Sequence, residues 1–535
     1  EDPQQLVNLL LSLPSPRSLQ LHIGPLFSPE QLDELLTPAS SLRSQRFTQL
    51  SQLAFRFNPY CMERSYFVFL KGTYFDSIVL NLSSWTLPTA PSMKRLSFVQ
   101  DLSPNHGVKR KDTPAFGLHE VRQELNEIEQ QELEEEEEER IITASRQPPA
   151  SGRFGRKNKI ENGKMDFAQP IVFFRLDCLA TLSVSPIGRQ LTHLTLRLPR
   201  RNLLTALTLQ TSPSNPPFPS VTHLDLSTTH ILDDARFPTL LRLMPGLESL
   251  VLDRCTGLIS QDAVDENTAI QTMRWLGKCC GGIGFSRAEE ISRSWKRIVK
   301  SRPTDASNIS HSSSPSSHST LIPPVKELFL IPSPPNLTHL ALGLHDNLSN
   351  TSTTRVWTKS FEKGYVEAIE KSKGRIQEFL DRWELWERQG KLLDGTRRLC
   401  TFSDALTTPS FRALHRGWSD VQKEGEEELD PLFEKFMDSR GLVKISPSIA
   451  YDLLELHDSK LRHGIELCFE PDCSDLPGVP RLSFGENGKD SMEDREEREK
   501  VIDQVEREDE ERRRARKHVQ GCAHLRGREA WEVDK

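Results

Sequence analysis

Short runs in which apolar and polar residues alternate recur along this chain, and three of them share one template. The template reads LxxLxL, and its copies lie at 191–196, 221–226 and 247–252. Successive side chains of a strand point to opposite faces, so this alternation predicts half-buried strands. The middle leucine recurs after 30 residues, from Leu194 to Leu224, and after 26 residues, at Leu250. Such spacing predicts repeated strand units stacked side by side.

The third copy continues into Cys255-Thr-Gly-Leu258, with Asp262 shortly after it. This sequence resembles the cysteine-containing leucine-rich repeat of F-box/LRR proteins. Cys255 stands at the position, called the ladder position, where that repeat has asparagine or cysteine. Asp262 stands near the start of the helix that follows the strand. The run LTHLAL at 337–342 is similar to divergent fungal proteins of this kind. The resemblance implies an α/β fold, namely an irregular leucine-rich-repeat solenoid with a curved parallel sheet and helices on its outer face.

Degraded copies of the template extend this prediction in both directions. We expect a strand from each of the runs 19–21, 50–55, 75–80, 93–98, 179–184, 325–330 and 337–342. Asn58 falls at the ladder position of the second run, and Ser28-Pro29 predicts the capped start of a helix. The steps from Leu182 to Leu194 and from Leu328 to Leu340 are only 12 residues. No full repeat fits there, so one run of each pair is a loop or the repeats are irregular.

Changes of composition divide the chain into five predicted parts. A glutamate run at 132–140, a basic run at 153–159 and a Ser/His/Pro tract near 301–319 are typical of disorder. The predicted parts are irregular repeats over 1–101, a disordered acidic and basic insertion over 102–169, further repeats over 170–350 with a disordered loop near 301–320, a helical insertion with a closing helix and strand over 351–470, and a polar charged tail, partly helical, over 471–535.

After residue 350 the apolar period changes from two to 3.6. Aromatic and aliphatic residues from Phe361 to Trp386 fall at three- and four-residue steps, which predicts one long amphipathic helix. We interpret its aromatic stripe as core. A further helix is expected to begin at Ser446-Pro447 and to end at Gly464, and a final strand is expected at 465–469.

Composition limits the compartment and the partners. The residues are 36% hydrophobic, and no apolar run approaches the roughly 20 residues of a membrane span. Nine scattered cysteines and the lack of a basic n-region favour a reducing compartment, so we expect a cytoplasmic or nuclear protein. Glycosylation sequons, including Asn81, Asn336 and Asn347, keep a secreted or cell-surface alternative open. A net charge of -7 argues against nucleic acid as the main partner.

No motif in the sequence carries recognisable catalytic chemistry. The glycines after Cys279-Cys280 follow a helical run as C-cap residues would, whereas a phosphate loop precedes a helix. His457, His463, Cys468 and Cys473 have the residue types of a zinc site but wider spacing than zinc sites prefer. We therefore predict a protein that is not an enzyme and that has no cofactor or metal.

The template itself predicts a binding surface. If the later leucines of each copy point inward, the residues between and after them lie on the opposite face and meet a protein partner. The predicted partner-binding residues are Thr195, Arg197, Asp225, Ser227, Val251 and Asp253. We expect a protein-interaction module. The F-box resemblance implies substrate recognition or an adaptor role in an SCF-type ubiquitin ligase, with the F-box upstream of Glu1; a scaffold without a ligase link is the alternative.

Overall fold

A computed structural model describes eighteen stretches of the chain. They are residues 3–12, 16–23, 29–37, 47–57, 60–61, 74–100, 167–168, 177–198, 201–209, 216–231, 235–258, 266–301, 324–343, 351–392, 396–408, 411–412, 430–469 and 523–524. Most of the predicted insertion at 102–169, the loop near 301–320 and the tail lie outside these stretches, as does Asn58. The exceptions are residues 167–168, which form a short strand, and residues 523–524.

The main feature of the fold is a large parallel sheet. The strands are β1 (Ser18–Ile23), β2 (Gln52–Phe57), β3 (Tyr60–Cys61), β4 (Arg95–Gln100), β5 (Phe167–Ala168), β6 (His193–Arg197), β7 (His223–Asp225), β8 (Ser249–Val251), β9 (Glu327–Leu330), β10 (His339–Ala341), β11 (Arg397–Phe402), β12 (Leu442–Lys444) and β13 (Glu466–Cys468). Eight of them pair in the order β1-β2-β4-β6-β7-β8-β10-β13. Every pairing in this sheet is parallel, and the spatial order follows the chain order.

Helices connect most of these strands, which makes the fold α/β as predicted. The helices are α1 (Pro3–Ser12), α2 (Pro29–Leu36), α3 (Tyr74–Ser83), α4 (Asp177–Val184), α5 (Pro186–Gln190), α6 (Leu204–Thr208), α7 (Arg236–Leu243), α8 (Glu266–Gly281), α9 (Ile283–Ser301), α10 (Thr351–Arg388), α11 (Ser403–Thr407), α12 (Pro431–Arg440) and α13 (Pro447–His463). None of the helices in the described part of the chain combines the length and apolar character that crossing a membrane requires.

The leucines of the template form the core beneath the sheet. Leu194, Leu224, Leu250 and Leu340 are register partners on neighbouring strands, and each is fully buried. They belong to one apolar cluster with helix residues such as Phe237 of α7. Burying each leucine stabilises the fold by about 1.5 to 3 kcal/mol. Strands are confirmed for the three template copies and for the runs at 19–21, 50–55, 93–98 and 337–342.

Two of the predicted strands are wrong. The run 75–80 lies in α3 and the run 179–184 forms α4. In α3, Phe75, Ile78 and Val79 are buried while Leu80 is 51% exposed, which is a helical and not an alternating pattern. The template LxxLxL also places apolar residues at i and i+3, so it fits one face of a helix. Neighbouring elements decide between the two periods, and α4 packs against α3 in the helical layer.

A second sheet explains why the predicted strands at Leu328 and Leu340 are only 12 residues apart. β9 and β10 are both strands, but β9 pairs with β11 in parallel, and β11 pairs with β12 in antiparallel orientation. This three-stranded sheet has its own apolar cluster, which includes Trp295, Phe329, Phe402 and Phe436. The region predicted as a helical insertion is therefore a small α/β unit, and it also takes in α9 and β9 from before residue 351.

Helix α10 packs on both cores. The 38-residue helix buries Phe361 and Ile369 in the large cluster and Ile376 and Leu380 in the second. The predicted aromatic stripe is therefore core along most of its length. Its close neighbour is α8, where a Cβ at Gly277 would collide with the carbonyl oxygen of Phe361. Glycine at this position lets the two helix backbones approach each other.

The chain returns to the large sheet through α13 and β13, as predicted. Ser446 is the N-cap of α13 and Pro447 its first residue, while Gly464 ends the helix with a positive φ of 65°. β13 then pairs with β10 in parallel. The buried side chains of α13, including Ile449 and Leu453, pack in the second cluster.

Gly277→Ala tests the close packing of α8 against α10. We expect it to lower the free energy of unfolding by about 1 to 3 kcal/mol, because the added methyl group forces two packed helices apart. The matched control is Gly374→Ala in α10, where a Cβ would meet nothing within 4 Å. That change should raise stability by about 0.5 to 1 kcal/mol, because alanine loses less entropy in a helix. Urea unfolding measures both, and equal effects would contradict the packing described.

Candidate functional site

The side chains between the template leucines lie together on the sheet face opposite the helices. Register places them in two columns, which we call the polar face. The first column is Gln52, Arg95, His193, His223, Ser249, His339 and Glu466; the second is Ala54, Ser97, Thr195, Asp225, Val251, Ala341 and Cys468. A parallel sheet spaces such neighbours by about 4.8 Å. The first column is therefore a regular array of hydrogen-bonding groups, and the second column combines polar and apolar side chains.

The six predicted partner-binding residues lie on or beside the polar face. Thr195, Arg197, Asp225 and Val251 belong to β6, β7 and β8, and Ser227 and Asp253 follow the ends of β7 and β8. Their predicted exposure is wrong, because each of the six is at most 8% exposed. The reason is that most of them bind one another or other parts of the chain. Their role in partner binding stays a prediction.

Arg197 and Asp225 form a buried ion pair across β6 and β7. Nε and an Nη of Arg197 both lie 2.7 Å from Oδ2 of Asp225. The other carboxylate oxygen accepts hydrogen bonds from the backbone N–H of Ser227 at 2.9 Å and from its hydroxyl at 2.6 Å. Burial alone would raise the pKa of Asp225, but Arg197 and Ser227 outweigh it and lower the pKa. The carboxylate is thus held ionised.

Histidines occupy the first column on three strands. The rings of His193 and His223 stack at a centroid distance of 5.4 Å. Burial, together with the charges of His223 and Arg95, lowers the pKa of His193 to about 3. At neutral pH His193 is therefore uncharged. Nε2 of His339 lies 3.4 Å from a carboxylate oxygen of Glu466 on β13.

A repeated threonine holds the start of three strands in register. The phrase Thr-His-Leu stands at 192–194, 222–224 and 338–340. The three threonine hydroxyls each donate to a carbonyl of the preceding strand region, at 3.2 Å to Lys94, 3.3 Å to Thr192 and 3.1 Å to Glu248. This repeat was the signal that could have identified the histidine column from sequence, because it recurs one position before each buried leucine.

Two hydroxyls of this face, those of Ser97 and Ser249, are buried without a hydrogen-bond partner among the described residues, and both residues are at most 2% exposed. Buried polar groups nearly always have a partner, because leaving one unpaired costs about 1 to 3 kcal/mol. These atoms therefore give the face unused hydrogen-bonding capacity.

Asp253 organises the end of the polar face near β8 and β10. Its Oδ1 accepts from the backbone N–H of Gly343 at 2.6 Å, and its Oδ2 lies 2.8 Å from Nε2 of His524. His524 and Asp253 are both buried, with side-chain exposures of 0% and 5%. Next to His524, Ala523 packs on Val251, Ala341 and Cys468. This contact joins residues 271 positions apart in the chain.

Cys255 supports the turn after β8. Its thiol donates to the carbonyl of Leu226 at 3.2 Å, and the hydroxyl of Thr229 donates to the same carbonyl at 2.6 Å. Burial raises the pKa of the Cys255 thiol, so the group is protonated and acts as a hydrogen-bond donor. Cys255 therefore links the turn after β8 to the backbone of the preceding strand region.

Those residues considered for zinc that the structure describes do not form a ligand cluster. Nδ1 of the buried His457 bonds the carbonyl of Leu453 at 2.8 Å, Cys468 lies in the large sheet, and Cys473 lies outside the described residues. Within the described stretches no group of three or more His, Cys, Asp or Glu side chains could hold a metal ion. Cys279 and Cys280 lie in α8, and Cys280 is fully buried.

Comparison of the chain with models of protein families, with curated proteins and with solved structures found no match.

Arg197→Met tests the buried ion pair. We expect a loss of about 3 to 5 kcal/mol of unfolding free energy, because Asp225 is left buried without its counter-charge. The double variant Arg197→Met/Asp225→Leu should lose clearly less than the sum of the two single variants. The control is Arg293→Met, which breaks an exposed pair with Glu289 and should cost at most about 1 kcal/mol. Urea unfolding of all four proteins measures the coupling, and additive losses would contradict it.

His193 predicts a loss of stability in mild acid. Its folded pKa is about 3 against an ordinary value of 6.5, so below pH 6.5 the unfolded chain binds a proton that the folded chain excludes. Stability should therefore fall with pH in this range, by up to about 1.4 kcal/mol per pH unit for this group. In His193→Gln the slope should be smaller by that amount. Denaturant unfolding between pH 7 and pH 4 checks it, and an unchanged slope would refute the assignment.

Proposed function

We propose that this chain is a protein-interaction module, an irregular leucine-rich-repeat solenoid that binds a protein partner through its polar face. The observation that carries the proposal is the polar face itself. It runs over neighbouring strands of one parallel sheet, opposite the helices, and holds unpaired buried hydroxyls at Ser97 and Ser249. A partner that supplies complementary groups removes the cost of leaving these atoms unpaired.

The repeat interpretation is supported by the order of the strands. Each new strand of the large sheet is added beside the previous one in chain order, with a helix between most of them, which is how repeat proteins grow. The hydrogen bond from Cys255 to Leu226 gives a physical role to the cysteine that carries the family resemblance. The second sheet and α10 interrupt the repeats, so the solenoid is irregular.

A role as substrate-recognition or adaptor subunit of an SCF-type ubiquitin ligase rests on that resemblance. Its support is the cysteine-containing repeat at 247–258 together with the binding face beside it. The ligase role requires a segment that binds the ligase adaptor. Pull-down of the intact gene product with the purified adaptor tests the role, and failure to bind would leave a scaffold without a ligase link.

Two glycosylation sequons bear on the secreted alternative. Nδ2 of Asn81 donates to Asp33 at 2.6 Å, and Nδ2 of Asn336 donates to the carbonyl of Pro245 at 2.7 Å. A glycan on either nitrogen would break these bonds. Cys255, Cys280 and Cys400 are also free thiols. Both observations favour the interaction module in a reducing compartment over a glycosylated surface protein.

Site-specific photo-crosslinking tests which face meets the partner. A photoreactive amino acid at Gln20, which lies on the polar side of β1 and is partly exposed, should crosslink to the protein partner in cells. The matched position is Leu80 on the outer side of α3, which is 51% exposed and should give no crosslink to that partner. Mass spectrometry of the adducts identifies the partner. Crosslinks from Leu80 alone would contradict the proposal.

A further inference from the structure

The polar face changes character at one end. Along the second column, Ser97, Thr195 and Asp225 are followed by Val251, Ala341 and Cys468 on β8, β10 and β13. These last three side chains are register partners, buried, and small or of moderate size. They form an apolar patch, which we call the end patch, on a face that is mostly polar. Apolar groups on a polar sheet face mark a place where another segment packs.

A segment of the same chain sits on the end patch. Ala523 packs on Val251, Ala341 and Cys468, and is 1% exposed. Residues 523 and 524 are helical in conformation. A side chain as small as alanine matches a patch built from residues of limited size, whereas a long side chain there would keep the helical turn away from the sheet.

The next residue adds a directional contact. Nε2 of His524 lies 2.8 Å from Oδ2 of Asp253, and both side chains are buried. Gly343 positions this carboxylate, because its backbone N–H donates to Oδ1 at 2.6 Å. Glycine permits this close approach, since a Cβ at that position would lie 2.8 Å from the same oxygen. Hydrogen bonds to a carboxylate are stronger than neutral ones. The carboxylate therefore selects a hydrogen-bond donor beside the alanine.

We propose that the segment carrying Ala523 and His524 is an intramolecular ligand of the end patch, and that it competes with a partner of the same chemistry. That partner is a helical segment in which a small residue is followed by histidine. This inference rests on the proposed function, since it assigns the partner chemistry of the same sheet face. The partner can bind only when the chain's own segment is released. The segment therefore raises the partner concentration that is needed for binding.

A peptide titration on the full chain tests the competition. The probe is a fluorescein-labelled peptide of residues 518–529 with Cys522 replaced by serine, and binding is followed by fluorescence anisotropy. The full chain with Ala523→Asp and His524→Ala should bind the peptide at least about tenfold more tightly than the unchanged chain, because a tethered ligand acts at an effective concentration of about millimolar. Equal affinities for the two chains would overturn the proposal.

Two controls identify the site of binding. Adding Asp253→Asn to that variant should weaken peptide binding about tenfold, because the charged acceptor is lost while an oxygen stays available for Gly343. A peptide with alanine in place of His524 should bind the variant as weakly. Thermal unfolding shows whether each variant is folded. If Asp253→Asn is unfolded, Ala341→Leu replaces it as the control, because the larger side chain fills the end patch and should block peptide binding.

The outcome also separates this inference from the proposed function. If the peptide fails to bind the variant at about 1 mM, the inference is wrong, even where Gln20 crosslinks to a protein partner. In that case the interaction module stands and its partner chemistry is different. If the peptide binds as expected and no partner crosslinks at Gln20, the docking of the chain's own segment on the end patch stands, and the proposed function is wrong.

Discussion

The template leucines are buried in register, and this burial fixes which face of every strand in the large sheet meets the helices. Leu194, Leu224, Leu250 and Leu340 lie side by side on neighbouring strands with no exposure to solvent. A shift of any strand by one residue would turn its leucine to the opposite face. The threonines before three of these strands hold the same register by donating to the preceding strand region. The leucine side accepts the helices, and the other side is left for polar groups.

That division gives the polar face its chemistry. Groups that share a buried column must satisfy each other, since an isolated charge there is too costly. Arg197, Asp225 and Ser227 do so by bonding across β6 and β7. Burial lowers the pKa of His193, so this neighbouring position is uncharged at neutral pH. The hydroxyls of Ser97 and Ser249 stay unpaired among the described residues, and Asp253 binds His524 from a distant part of the chain.

The second sheet shows how an inserted unit is joined to the large sheet through one helix. One helix, α10, extends from the large cluster into the second, and it packs against α8 through glycines that permit close backbone contact. A 38-residue helix spans about 57 Å, so its two ends can serve two cores. The small sheet is therefore anchored beside the large one. The chain then returns through α13 to add β13 at the edge of the large sheet, beside β10.

Local sequence patterns were enough to predict the strands that carry the clear template, the long amphipathic helix and the helix before β13. Each of these is encoded locally, by apolar period or by cap residues, and most of the predicted segments were confirmed. The runs at 75–80 and 179–184 could not be assigned from their pattern, because LxxLxL fits both a strand and one face of a helix. Packing against neighbouring elements makes both runs helical. The assignment of β9 and β10 to different sheets and the buried contact of Asp253 with His524 also depend on tertiary packing. Contacts between residues 271 positions apart leave no local pattern to read.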